Sequence, residues 1–283
     1  MPASMLSLAS LWGYPIKSMM GEELNSAIIT YNGILGDRSY ALLDLETDKI
    51  VSAKNPKKWP EIFSFHARYI EAPALEKEPP PVWITLPDGR IIRTDQADAE
   101  QQLSIALKRT IGLRNKAAQH ASLEQYWPEY EGEGESTEIS DETISVAADD
   151  GSFFDYASLH ILTTASLTKL QQIYPGGRFE ARRFRPNLVI ATPAEQIGFV
   201  ENDWVGKTLT IDGVKLLVTD PCPRCVMPTL AQGDLAKDAK ILRTISENTV
   251  HVPFAGKALP SIGVYAQVIQ PGEIRRGSMV MIE

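Results

Sequence analysis

In the first third of the chain, apolar positions come in short runs split by turn residues, a pattern of strands rather than helices. Residues 39–45 and 49–53 flank Glu46-Thr47-Asp48, and residues 82–86 and 90–93 flank Pro87-Asp88-Gly89, so both stretches predict hairpins. Leu103, Leu107 and Ile111 then recur at every fourth position behind Asp95 and Asp98, which predicts a helix stopped by Gly112. From 124 to 155 the chain turns acidic around Glu131-Gly132-Glu133-Gly134-Glu135. That composition predicts a solvated linker or loop at 124–155, between an N-terminal module at 1–123 and a second module at 156–283.

The second module opens on an apolar run, 159–162, that meets Thr163-Thr164-Ala165-Ser166. Leu167, Leu170 and Ile173 then share one helical face up to Pro175-Gly176-Gly177, giving a strand, a hydroxyl-rich cap and a helix. Further strands are predicted at 188–191, at 208–219 with a turn at Asp212-Gly213, at 263–269 and at 280–282, with a short helix near 236–246 and a break at Pro271-Gly272. The predicted fold class is α+β and strand-rich, with barrel-like sheets and a few peripheral helices.

Composition narrows the partners. The 283 residues are 43% hydrophobic, ordinary for a chain with a real core, and carry a formal net charge of -8. Such a balance argues against nucleic acid or an anionic membrane, which need a basic face. An anionic ligand would have to find a local basic pocket. No apolar run approaches the roughly 20 residues of a membrane span, and the first residues lack a basic targeting region, so the reading predicts a cytoplasmic protein.

The only two cysteines stand in Asp220-Pro221-Cys222-Pro223-Arg224-Cys225, directly after a strand-like run. In a reducing compartment this spacing suggests metal binding or redox chemistry, and a neighbouring arginine favours the ionised sulfur. A closed zinc site needs four ligands, whereas His66, His120, His160 and His251 are scattered singly. A dithiol redox motif normally precedes a helix, and this one follows a hairpin. Two inert cysteines are the third alternative.

Basic turns change the balance. Lys17-Ser18 follows Tyr14-Pro15-Ile16, Arg38 sits in Gly36-Asp37-Arg38-Ser39, and Arg182, Arg183 and Arg185 precede Pro186-Asn187 and an apolar strand. Singly these read as solvated charges. Together with the hydroxyls at 163–166 they are the ingredients of an anion site built from guanidinium forks, hydroxyls and free backbone N–H groups.

Tyr14-Pro15-Ile16-Lys17-Ser18 followed by Gly33-Ile34-Leu35-Gly36-Asp37-Arg38 resembles the N-terminal β-barrel module of MOSC proteins. Arg183-Phe184-Arg185-Pro186-Asn187, Glu201-Asn202-Asp203-Trp204, the cysteine loop and Gly263-Val264-Tyr265-Ala266-Gln267-Val268 resemble the MOSC domain itself, in the family's order over nearly the whole chain. The resemblance extends to the amidoxime-reducing components of mitochondria and their bacterial counterparts. It implies a molybdenum pyranopterin cofactor, an N-hydroxylated substrate and electrons from a separate reductase, since no iron–sulfur cysteine pattern is present. It further implies Cys225 as the thiolate on the metal, with Lys17, Ser18, Arg38, Thr163, Ser166, Arg185 and Asn187 around the pterin and its phosphate. Cys222 becomes a neighbour of the ligand. The chain departs from these relatives in the loop Val226-Met227-Pro228-Thr229-Leu230 after the ligand cysteine, and in Asn202 where they carry an acid two residues before the tryptophan. A cofactor-binding or sulfur-carrying protein without turnover, and a plain thiol oxidoreductase, are the alternatives.

Overall fold

Strand Ser7–Gly13 is the seam of the architecture. It pairs antiparallel with Leu188–Ala191 on one side. At its start, Ser7 bridges Met279, Leu8 N–H donates to Ser278 O at 2.8 Å, and Val280 N–H donates to Leu6 O at 2.9 Å. Between those two contacts the sheet runs through Leu188–Ala191, Leu159–Thr163, Lys257–Gln270, Val214–Pro223, Thr208–Ile211 and Val280–Ile282, so Ser7–Gly13 closes it into a barrel. Closure removes the exposed edges an open sheet would present. The computed structural model describes residues 6–127, 138–148, 151–247 and 249–283, and the centre of the acidic stretch, Glu131–Glu135, lies outside them.

Inside the barrel, Leu8, Leu11, Leu159, Ile161, Leu188, Ile190, Leu209, Leu216, Val218 and Val264 are fully buried. Ala27, Ile29 and Ile34 join this same core from the strand Ser26–Thr30, which pairs with Gly272–Arg275 on one side, and from Gly33–Ile34, which pairs with it on the other. Strands Ser7–Gly13, Ser26–Thr30 and Gly33–Ile34, inside the sequence interval 1–123, therefore pack into the core built from 156–283, while Ile16, Met19 and Met20 between them join the other core.

A second body is formed by two smaller sheets. Ile111–Arg114, Ala41–Asp44, Lys49–Ile50, Ser122–Tyr126 and Ile139–Thr143 make one, and His66–Tyr69, Val82–Thr85 and Ile91–Arg93 the other. Their core gathers Trp59, Phe63, Phe65, Ile84 and Leu103, and Met227 and Leu230 from the loop after the cysteines pack onto it. The cysteine loop thus leaves one body and is seated on the other.

The turn chemistry read from sequence holds: both predicted hairpins form, and Asp212-Gly213 joins Thr208–Ile211 to Val214–Pro223. The first helix is shorter than its periodicity suggests. It spans Ala99–Leu107 and ends where Lys108 turns left-handed at φ 56°, so Ile111 and Gly112 belong to a strand. The last helix, Lys240–Ser246, also begins later than expected. Within 124–155, Ile139–Thr143 pairs with Ser122–Tyr126, and Phe153 and Phe154 are buried. No helix among the described residues is long and apolar enough to cross a membrane.

Candidate functional site

A cavity of about 700 Å³ opens between the two bodies. Six residues expected at the site from sequence line it: Lys17, Ser18, Arg38, Arg185, Asn187 and Cys225. Seven cationic side chains face this cavity against the carboxylates of Glu142 and Asp155. In a chain of net charge -8, that concentration is the local basic pocket an anionic ligand requires.

The backbone that presents these groups is held in an unfavourable region. Ser18 (φ 65°), Arg38 (φ 49°) and Arg185 (φ 52°) are all left-handed, which costs a non-glycine residue on the order of 1 kcal/mol. The surroundings fix them. Ser18 Oγ accepts from Ala53 N–H at 3.1 Å, Arg38 N–H donates to Tyr14 O at 2.7 Å, and Arg185 closes the 3-10 turn Ala181–Phe184. Among the nine left-handed non-glycine residues in the described chain, these three line one cavity.

Asp37, fully buried, ties the bodies together. Its carboxylate accepts from Tyr14 N–H at 2.8 Å and Asn187 Nδ2 at 2.9 Å, and it pairs with Arg38. Asn187 also accepts from His160 N–H through Oδ1 at 3.1 Å, so its amide clasps the two bodies beneath the cavity. Arg185 stacks over the Tyr14 ring at 4.2 Å and donates Nη1 to Met19 O at 2.7 Å. Its Nη2 is buried with no hydrogen-bond partner, a guanidinium donor left unmet by the protein itself. Burial pulls the Arg185 pKa down to about 10, so it stays cationic at neutral pH.

Two residues that the sequence reading missed complete the floor. Asp155 accepts from Lys17 Nζ at 2.5 Å and lies 3.3 Å from Lys54 Nζ. Burial would raise its pKa, but the two ammonium groups overcome that and hold the carboxyl well below its usual range. Lys17, which also donates to Phe153 O at 2.6 Å, is drawn down to about 8 by burial while Asp155 opposes the fall. Asp155 was hidden in the acidic stretch and Lys54 in the lysine-rich run Lys54-Asn55-Pro56-Lys57-Lys58. Neither spacing nor composition separates them from surface charges.

The cysteines differ. Cys222 ends the strand Val214–Pro223 and is buried, whereas Cys225 lies on the bend beyond it and is partly exposed to the cavity. Burial pushes both thiols up, with Lys54 the chief opposing charge at Cys225. The neighbouring Arg224 is the chief charge opposing that push at Cys222 and a smaller one at Cys225, while its guanidinium donates to Ile262 O and Phe184 O and meets His160. Burial and Arg224 together hold His160 well below its ordinary pKa, so it is neutral. Among the described residues no three His, Cys, Asp or Glu side chains are grouped to hold a metal, which removes the zinc reading there.

Thr163 and Ser166 were expected to face a cofactor, and neither lines the cavity. Thr163 Oγ1 donates to Glu201 Oε2 at 2.6 Å, and Ser166 Oγ donates to Glu201 Oε1 at 2.6 Å. Gly263 N–H adds a third donor at 3.1 Å. Glu201 has no exposed surface, so a buried carboxylate has taken the anion-binding capacity of this helix start. Thr163 caps the helix as expected, accepting from Ser166 N–H at 3.2 Å. Arg183 is also structural: its guanidinium donates to the carbonyls of Arg178, Pro228, Leu230 and Ala236, clamping the loop after Cys225.

The donor set suits an anionic group carrying a soft metal. Lys17, Arg38 and Arg185 supply charge, the orphaned Arg185 Nη2 supplies an unmet hydrogen bond, and Cys225 supplies sulfur.

Comparison with known proteins adds a frame. A MOSC N-terminal beta barrel domain matches residues 5–126, and a MOSC domain matches residues 148–281. Mitochondrial amidoxime-reducing component 1 of Mus musculus is 26% identical over 98% of this chain and 82% of its own length. Mitochondrial amidoxime reducing component 2 of Homo sapiens is 25% identical over 97% and 82%. Molybdenum cofactor sulfurase 3 of Aedes aegypti is 36% identical over 34% of this chain, a match that spans only 11% of the sulfurase.

Proposed function

The chain belongs to the MOSC family, with both the N-terminal barrel and the MOSC domain, and on that premise we propose a molybdenum-cofactor-dependent oxidoreductase acting on N-hydroxylated or N-oxygenated compounds. The observation that carries this reading is the meeting of Cys225 with Lys17, Ser18, Arg38, Arg185 and Asn187 in one cationic cavity between the bodies. The full-length likeness to amidoxime-reducing components supports the substrate class.

Reduction of N–OH to N–H breaks the N–O bond, consumes two electrons and two protons, and releases water. The bound cofactor would supply the two-electron exchange at oxygen, and a separate reductase would refill it. The chain's residues hold and orient. Cys225 Sγ would lose its proton to bind the metal, which reverses the upward push of burial. Lys17 Nζ, with a pKa of about 8, is mostly protonated at neutral pH and meets anionic charge, while Asp155 fixes its position. Arg185 Nη2 and Arg38 provide the fork for a phosphate. Ser18, held left-handed, lines the same cavity. Thr163 and Ser166 act at one remove, through Glu201 and the Gly263 backbone. Two free thiols fit a reducing, cytoplasmic setting.

Purified protein from a host that makes the cofactor should carry molybdenum and an extractable fluorescent pterin, and should reduce a model amidoxime. Cys225→Ser should abolish metal retention and turnover, while Cys222→Ser keeps most of both. Equal loss in the two variants refutes the single-ligand assignment. A second reading, cofactor or sulfur carriage without turnover, is favoured by the sulfurase match. A stable persulfide on Cys225 with no reduction under any donor would establish it.

A further inference from the structure

The floor of the cavity is cationic, but its mouth is aromatic. Phe254, 44% exposed, sits on the turn Pro253–Ala255 between Thr249–Val252 and Lys257–Gln270. Its ring stacks on Tyr156, with centroids 4.0 Å apart and planes 23° from parallel. Tyr156 meets Tyr265 at 5.3 Å, and Tyr265 meets the His160 ring edge-on at 6.2 Å. The rings form a continuous wall from the surface down to the imidazole that Arg224 contacts. Trp127, 37% exposed, lines the same cavity.

The phosphate and the metal of an anionic cofactor call for cations and Cys225 rather than rings, and Phe254, at 44% exposed, keeps a ring open to solvent. A solvent-facing aromatic pair left at the mouth of a polar pocket is a surface prepared for a flat apolar group. A molecule that presents N–OH inward and a ring outward would meet both halves of the cavity at once. We propose that Phe254 and Tyr156 form a specificity subsite that stacks on the aromatic ring of the substrate, making the protein selective for aryl over small alkyl N-hydroxylated compounds. This rests on the reduction reading for the inner half of the ligand, but the stacking itself needs no N–O bond.

That separation sets the experiment. Calorimetric titration of the cofactor-loaded protein, without reductant, compares benzamidoxime with acetamidoxime and benzamide with acetamide. The aryl member of each pair should bind about tenfold more tightly, the scale of one good ring contact. Phe254→Ala should erase most of that preference and leave the alkyl ligands within about twofold, and Phe254→Leu, which keeps apolar area without a ring, should fall between. Equal aryl and alkyl affinity overturns the proposal, as does an equal loss for both in Phe254→Ala. So does a rise in the KM for the reductase with ligand affinity unchanged, which would mean that this face docks the electron donor. If neither oxime is reduced but the benzamide preference and its loss in Phe254→Ala persist, the subsite stands and the reduction reading falls. If both oximes are reduced with the same KM, the subsite falls and the reduction reading stands.

Discussion

Replacing Asp155 by asparagine tests the electrostatics of the cavity floor before any cofactor is bound. The carboxylate serves two ammonium groups, Lys17 at 2.5 Å and Lys54 at 3.3 Å, and the Lys17 side chain is only 4% exposed. Removing one partner of a fully buried pair costs about 3–5 kcal/mol, whereas an exposed pair is worth about 1 or less. The Asp155 side chain is 35% exposed, so water offsets part of the loss and the expected cost lies between these limits, about 2 kcal/mol at pH 7. The sign of its pH dependence follows from Lys17. Folded Lys17 has a pKa of about 8 against an ordinary 10.5, so the unfolded chain binds more protons between those values and stability rises with pH across that window. Asp155 opposes the fall; without it the folded pKa drops further and the rise begins at lower pH. The deficit of Asp155→Asn should therefore be largest at the acid end of the range, shrink as pH rises toward 8, and level off above it. Urea unfolding of the metal-free protein from pH 6 to pH 9.5 measures it, and Lys17→Met in the Asp155→Asn background should recover part of the loss. A deficit that is flat with pH, or below about 0.5 kcal/mol at pH 7, refutes the assignment.

Gly263→Ala should cost more than about 3 kcal/mol in thermal or urea unfolding, since the residue has φ 76° and a Cβ would meet His160 Nε2 at 2.3 Å and Ile161 O at 2.6 Å. Glu201→Ala strips the acceptor from Thr163, Ser166 and Gly263 and should destabilise by about 3 kcal/mol; Glu201→Gln, which keeps one acceptor oxygen, should lose about half as much. Arg183→Lys removes the planar fork that clamps Pro228, Leu230 and Ala236, so amide exchange in 226–236 should quicken and metal retention fall, with little change in global stability.

Much of the barrel within 156–283 and the hairpins could be read in advance because their turns carry their own chemistry: Asp212-Gly213 and Pro87-Asp88-Gly89 bend the chain whatever surrounds them. Ser7–Gly13 escaped notice because Ser7, Ala9 and Ser10 weaken its alternation, and only tertiary pairing makes it the barrel's closing strand. Ile139–Thr143 resembles linker because, as the edge strand of its five-stranded sheet, it carries Asp141 and Glu142. At the site, Lys17, Arg38 and Arg185 could be picked out by motif, but their strained backbone could not, since no glycine marks a left-handed turn there. Thr163 and Ser166 turn their hydroxyls to Glu201 rather than to the cavity. Which carboxylate reaches them depends on the turn Val200–Trp204 folding over the helix start, a contact invisible in linear order.

The closing strand also constrains how the protein is made. Ser7 and its bridge partner Met279 are about 270 residues apart, and the second contact, at Leu188–Ala191, is itself distant. At roughly 5–20 residues per second, a ribosome delivers that last partner well over ten seconds after the first strand emerges. Throughout that interval Leu8 and Leu11 have no barrel to enter. Ser7–Gly13, made before its partners, is therefore among the last strands of the barrel to be seated, and the barrel cannot close until Met279 has been made.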